Sequence, residues 1–523
     1  MLIRVAILAG ILLVSTVTVW VITATKACIY VGQGTGFSSI QGAINQAKPG
    51  DTLILAYGSY RENLMITKPI RLIAAGYAST LAFPGAGGAG TSGNCIVLHT
   101  SSPAAGTPLV VLEAADPQRP AIEIRAEGVE LNGLVIRGGS QGVLVTRTRN
   151  ARLAHNRISN SAYAGIALIN VSESTVQENE VSQSETGILL ESSWHNHVML
   201  NRFQTNTRGL VLRNSRENQV RANRSFANQG EGFLMESADR NEWIANQSER
   251  NSWGLVSLSS SSNIFHANRF DRNTRSLRIE GGSPEHFIHQ MDRSNTIDGR
   301  AVYYLVNERN VTIHSQDQPG FVALVNCEGI TVDGITLSNG SAGIILVNTR
   351  ASALRNNVLL NTVRGVYIWN SRDIELSGNR IERTEESGIT LMGSQGIHLV
   401  KNYVSASGGH GVLLENSQEN ELSENQLEGN RESGAHLEAS RRVLLKQNQI
   451  RNNWVGVFVE QGGAHVIQGN WIRENQFGIF VQQSSENKIA DNRLENNHHD
   501  TNDSDQPPPP SPKSAPSSPS GGS

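Results

Sequence analysis

Residues 422–460 read LSENQLEGNRESGAHLEASRRVLLKQNQIRNNWVGVFVE, and this stretch decides the fold. Asn425 and Asn448 each have an apolar residue three positions before (Leu422, Leu445) and two after (Leu427, Ile450). A glycine follows, Gly434 or Gly456, and opens a segment such as Val457-Phe458-Val459 whose first and third residues share one face. Outward from here the spacing persists. Anchoring asparagines stand at Asn156, Asn179, Asn201, Asn223, Asn246 and Asn268, then at Asn356, Asn379, Asn402, Asn425, Asn448, Asn470 and Asn492, in steps of 22 or 23. Further columns run through Asn206, Asn228, Asn251, Asn273, Asn361, Asn430, Asn453, Asn475 and Asn497, and through Asn196, Asn218, Asn241, Asn263, Asn420 and Asn487. No helical period appears, and turns of Asn, Ser and Gly separate three apolar segments per repeat. The pattern predicts an all-β chain, a single-stranded right-handed parallel β-helix with three short strands per 22- or 23-residue coil. At a strand spacing of about 4.8 Å, stacked asparagine amides can bond from coil to coil.

The array needs closed ends, because an open coil is an unpaired sheet edge. Within residues 28–75, assigned to an N-terminal cap and the first coils, the spacing of Ile40, Ala43, Ile44 and Ala47 predicts a capping helix that Pro49-Gly50 ends. The β-helix is expected across 76–500, with loops at 82–108 and 281–293. Residues 1–27 hold a long uncharged run and read as either a cleaved signal peptide or a membrane anchor. The chain is therefore expected outside the cytoplasm, periplasmic, secreted or at the cell surface. Cys28 follows the run, but Lys26 stands where a lipidation motif wants a small or apolar residue. Residues 501–523 are Pro/Ser-rich and are expected to be a disordered tail. Formal charge is −3, with 44 Lys and Arg scattered among 47 Asp and Glu, so no basic stripe exists to follow nucleic acid. Cys28, Cys95 and Cys327 form no CxxC pair and signal neither a disulfide framework nor a zinc knuckle.

The opening Ser39-Ile-Gln-Gly-Ala-Ile-Asn-Gln-Ala-Lys-Pro-Gly-Asp-Thr-Leu-Ile-Leu55, followed by Gly58-Ser-Tyr-Arg-Glu-Asn63 and Lys68-Pro-Ile-Arg-Leu-Ile73, resembles NosD-like and other proteins of the pectin-lyase-like fold. So do the Asn/Gly coils and Asp298-Gly-Arg-Ala-Val-Tyr-Tyr-Leu-Val-Asn307. The resemblance implies the fold. For function it implies a periplasmic accessory to copper insertion into nitrous oxide reductase, but the same fold hosts lyases, hydrolases, epimerases and non-catalytic binders.

Any site must come from outward side chains on neighbouring coils. Gly409-His410-Gly411 resembles the histidine motif of polygalacturonases, but Ser387 rather than an acid lies opposite His410 one coil earlier, so it reads as a surface residue before a strand glycine. No catalytic set is recognisable; an enzyme, if this is one, would be a polysaccharide lyase, hydrolase or epimerase with a divergent site. The fourth residue after the strand glycine gives a column of Glu191, Arg213 and Glu236, then Glu415, Glu438 and Glu460. Such carboxylates need calcium or pairing with Arg441 or Arg442. Copper could be taken by His195 and His197, which have Glu173 and Glu217 in adjacent columns, or by His286, His289 and Met291 in the inserted loop. Trp454, Phe458, Trp471, Phe477 and Phe480 lie within a few coils and form a candidate binding surface for glycan or protein. The expected function is non-catalytic binding or presentation of a carbohydrate polymer, or of an envelope protein, at the cell envelope.

Overall fold

A computed structural model describes residues 20–24, 27–82, 95–99, 109–338 and 343–502. Most of the expected signal or anchor, most of the 82–108 segment and nearly all of the tail lie outside the described residues. The chain divides into two compact units, residues 1–185 and 186–523.

In the first unit each coil's strands pair in parallel with their counterparts in the next. Leu131 lies opposite Leu153 and Leu153 opposite Val176, Ile136 opposite Ile158, and Val143 opposite Ile166. All of these are buried, as period-2 alternation requires. Helix α1 (Ile40–Gln46) buries Ile40, Ala43 and Ile44. Its unpaired amides are met by charge: Glu62 accepts from Ile40 N–H and Gln41 N–H at 2.8 and 2.9 Å. At the other end Lys68 Nζ donates to the carbonyls of Ile44, Asn45 and Ala47. Strand Cys95–His99 falls where a loop was expected and pairs antiparallel with Trp20–Ala24 and Ala78–Ala82. Cys28 is disulfide-bonded, a link its sequence spacing did not signal. Among the described residues no helix is long and apolar enough to cross a membrane.

In the second unit the asparagine columns are hydrogen-bonded ladders. Asn425 Oδ1 accepts from Asn402 N–H and Asn402 Nδ2 at 2.9 and 3.0 Å, while its own Nδ2 donates to Leu399 O and Asn448 Oδ1 at 2.8 and 3.0 Å. Each amide thereby satisfies backbone groups that the turns leave without strand partners. Two expected ladder positions are off by one. Asn357, not Asn356, donates to Asn379 Oδ1, and Thr362 is buried where Asn361 was placed. Asn356 and Asn361 are exposed turn residues with φ of 52° and 53°. Asparagine suits both the ladder and the left-handed turn, so adjacent candidates look alike in sequence. The strand glycines are set by close approach: a Cβ on Gly456 would lie 2.5 Å from Gly478 O and 2.6 Å from Ile472 Cγ2.

The array reverses once. Thr296–Ile297 pairs antiparallel with Arg300–Val306 through a turn at Asp298 and Gly299, and parallel stacking resumes with Phe321–Val325. Residues opposite each other in an antiparallel pair share a face, so Arg300, Val302 and Tyr304 lie on the side of buried Ile297, while Tyr303 enters the later core. The core of the coils before residue 296 is thus closed by the outward face of the coils that follow. Phe265 meets His289, His289 meets Tyr304, and Tyr304 stacks on Phe321. The inserted segment with its short 3₁₀ turn Pro284–Phe287 lies over the same face, with Phe287 against Trp369 and Phe287 O accepting from Tyr304 Oη.

Candidate functional site

Beyond this cover, the outward face of one sheet of the second unit continues through successive coils. One of its columns runs Tyr367, Thr390, Leu413, His436, Phe458, Phe480, and the next runs Trp369, Met392, Glu415, Glu438, Glu460, Gln482. At its lower end a cleft of about 560 Å³ is lined by Glu280, Phe287, Arg364, Tyr367, Met392 and Glu415. Arg364 holds the cleft wall: its guanidinium binds Glu280 at 2.8 Å, pairs with Glu386, and lies over the Tyr367 ring. Arg275 and Glu385 add a second link at 2.6 Å.

Above the cleft are two histidines. His410 Nδ1 accepts from Ser433 N–H at 3.2 Å, which puts the proton of the neutral ring on Nε2. That nitrogen is 2.8 Å from Glu432 Oε2 and 3.3 Å from His436 Nδ1. His436 therefore presents a lone pair at Nδ1 and carries its own proton on Nε2. Its ring stacks on Phe458 at 4.5 Å and 8°, and burial, reinforced by His410, pushes its pKa down to about 3. Its Nε2 is 3.4 Å from Glu460 Oε2 but not aligned for a hydrogen bond, and has no hydrogen-bond partner. Glu432 is held below the usual carboxylate range, first by its hydrogen bond from His410. Glu438 is raised by burial and then by the charges of Glu415 and Glu460 on either side.

The upper end is aromatic. Phe458 meets Phe480, Phe477 meets Phe480 and Trp454, and Phe477 stacks on His499. Phe480 is fully buried and Phe477 nearly so, leaving Trp454 and Phe458 as the half-exposed members. Trp471 is elsewhere: it belongs to a different sheet, donates to Glu495, and lies between Arg473 and Arg493.

Several expected sites do not assemble. Arg442 binds Glu419, not the glutamate column, and among the described residues no lysine or arginine pairs with Glu415, Glu438 or Glu460. In the earlier coils Arg213 does pair with Glu236, at 2.7 Å. His286, His289 and Met291 diverge. His286 Nδ1 accepts from Ser283 N–H; His289 takes an asparagine-ladder place, accepting from Asn263 N–H; Met291 faces the core opposite Phe265. His195 and His197 turn to separate partners, Glu217 and Gln219. Among the described residues no group of three or more His, Cys, Asp or Glu could hold a metal ion. Sequence reasoning missed His436, Glu432 and Arg364, while Tyr367 was among the aromatic residues the sequence offers for sugar stacking. His436 and Glu432 stand one coil after His410, beside its partner Ser433.

Fold and face together define a parallel β-helix protein with an outward cleft. The chain belongs to the NosD family, described as periplasmic copper-binding protein (NosD), which matches residues 116–303, 288–453 and 330–507. This supports a location outside the cytoplasm. Solved structures with a similar fold include pectate lyase Pel9A, at 12% identity and TM-score 0.34, covering 66% of this chain and 78% of that one. Another is DFA-IIIase from Arthrobacter chlorophenolicus A6, at 13% and 0.36, covering 77% and 94%. A third is the periplasmic alginate epimerase AlgG, at 10% and 0.25, covering 74% and 77%. These likenesses bear on fold alone. No curated protein matches the sequence.

Proposed function

We propose that this protein binds a carbohydrate polymer outside the cytoplasm, along the outward face that runs from the Arg364 cleft past His436 to Trp454 and Phe458. One observation carries the reading: half-exposed aromatic rings, carboxylates and a cleft lie along one sheet face. Aromatic rings stack on the apolar faces of sugars, and carboxylates accept from hydroxyls. The face is built from repeating coils, which suits a repeating ligand. The test is binding of a panel of soluble oligosaccharides to the full chain, compared with a Trp454→Ala, Phe458→Ala variant. Binding that weakens about tenfold or more in the variant supports the reading; no binding to any oligosaccharide sinks it.

A second reading comes from the family description. The imidazoles of His410 and His436 lie side by side beside Glu432, and imidazole is a ligand copper accepts. Copper titration of the metal-free protein, with His410→Ala and His436→Ala as comparisons, decides it. Stoichiometric binding lost in both variants supports copper at this pair, and binding unchanged in both removes it.

A further inference from the structure

We propose that the polymer bound on this face is made of amino sugars with free, protonated amines, whose ammonium groups sit on the Glu415, Glu438 and Glu460 column. This rests on the carbohydrate reading and adds the charge and functional groups of the ligand.

The column concentrates unmatched carboxylates on three consecutive coils. Many other glutamates of the second unit are matched across coils, as Glu217 with Arg240, Glu328 with Arg350 and Glu419 with Arg442. Glu415, Glu438 and Glu460 face each other in register on three consecutive coils with no lysine or arginine partner among the described residues. Carboxylates about 4.8 Å apart repel, and Glu438, the middle one, is reluctant to ionise, first because it is partly buried and then because Glu415 and Glu460 flank it. A cation from outside relieves this; a polyuronate would be repelled. A calcium ion needs its oxygens gathered around one point, and among the described residues no group of three or more His, Cys, Asp or Glu is so placed.

His436 makes an independent case for a hydroxyl. Its side chain is only 8% exposed, and its Nε2 lies 3.4 Å from Glu460 Oε2 without making a hydrogen bond. A buried donor in that state calls for an acceptor. A hydroxyl seated there accepts from His436 Nε2–H and donates to the Glu460 carboxylate, satisfying both. The ring of Phe458, stacked on His436, is available to the apolar face of the same sugar. Ammonium groups recurring once per coil on the glutamate column, with one hydroxyl seat at His436, describe a 2-amino-2-deoxy sugar polymer lying parallel to the coil axis.

The experiment is calorimetric titration of the full chain at mildly acidic pH and low salt with three hexamers: glucosamine, N-acetylglucosamine and galacturonate. The glucosamine hexamer is expected to bind about tenfold tighter than its acetylated form, to weaken with added salt, and to lose that advantage in Glu438→Gln and Glu415→Gln. Thermal unfolding confirms that both variants fold, and either one suffices. Equal or tighter binding of the acetylated or uronate hexamer, or a preference unchanged in a folded variant, overturns the amine assignment while leaving the carbohydrate reading intact. Failure of all three to bind overturns the amine assignment, and the wider oligosaccharide panel then decides the carbohydrate reading.

Discussion

Two ladder histidines should make the protein acid-labile in a defined window. His289 accepts from Asn263 N–H and His465 from Val443 N–H, each at the place an asparagine Oδ1 occupies in other coils. Both are buried, both leave Nε2 unpartnered, and burial pushes each pKa from its ordinary value down to about 4. In the unfolded chain each takes a proton near pH ~6.5. Between these values the unfolded state binds more protons, so the stability is present in full above about pH 6.5 and falls as pH drops toward about 4. The gap amounts to ~3 kcal/mol per histidine when complete, and to ~2 kcal/mol at about pH 5. The perturbation is His289→Asn with His465→Asn, which keeps an acceptor in each ladder and removes the titration. Urea midpoints measured from neutral pH down to about 5 should fall markedly less in the double variant than in the parent. Carboxylate titrations are common to both proteins and cancel. An acid-side fall of the same size in both would refute the assignment of these rings to neutral ladder positions.

Three further changes test other parts of the structure. Asn425→Ala removes the acceptor of Asn402 N–H and a donor to Leu399 O, and should cost ~3 kcal/mol in urea unfolding, whereas exposed Asn416→Gly should change stability by less than ~0.5 kcal/mol. Gly456→Ala forces a Cβ against Gly478 O and Ile472, and should lower stability by ~2 kcal/mol or yield insoluble protein. Glu438→Gln relieves like-charge repulsion. Because the folded carboxyl titrates above its ordinary value, its destabilising effect grows as pH rises, so the variant should be more stable by on the order of 0.5 kcal/mol at neutral pH and indistinguishable in acid where Glu438 is protonated.

The coil was legible because its determinants are local and repeated: an asparagine, two flanking apolar residues and a strand glycine suffice to place a residue inward or outward. That logic fails where one residue type serves two purposes. Asn356 and Asn357 are indistinguishable by type, and only the ladder bond to Asn379 separates them. It also fails for histidine. His286, His289 and Met291 share the 281–293 insert and invite a metal reading, yet one caps a turn, one completes a ladder and one fills the core. The candidate face was half legible. Its glutamate column and aromatic end follow from counting after the strand glycine, and the register keeps Glu415, Glu438 and Glu460 together. What counting could not supply is the strand reversal at Asp298 and Gly299, which exchanges inward for outward and brings Glu280 to Arg364 across 84 positions of sequence. The cleft exists only because of that reversal. Its walls therefore depend on a two-residue turn as much as on the repeat, and a ligand that spans from cleft to aromatic end reads both.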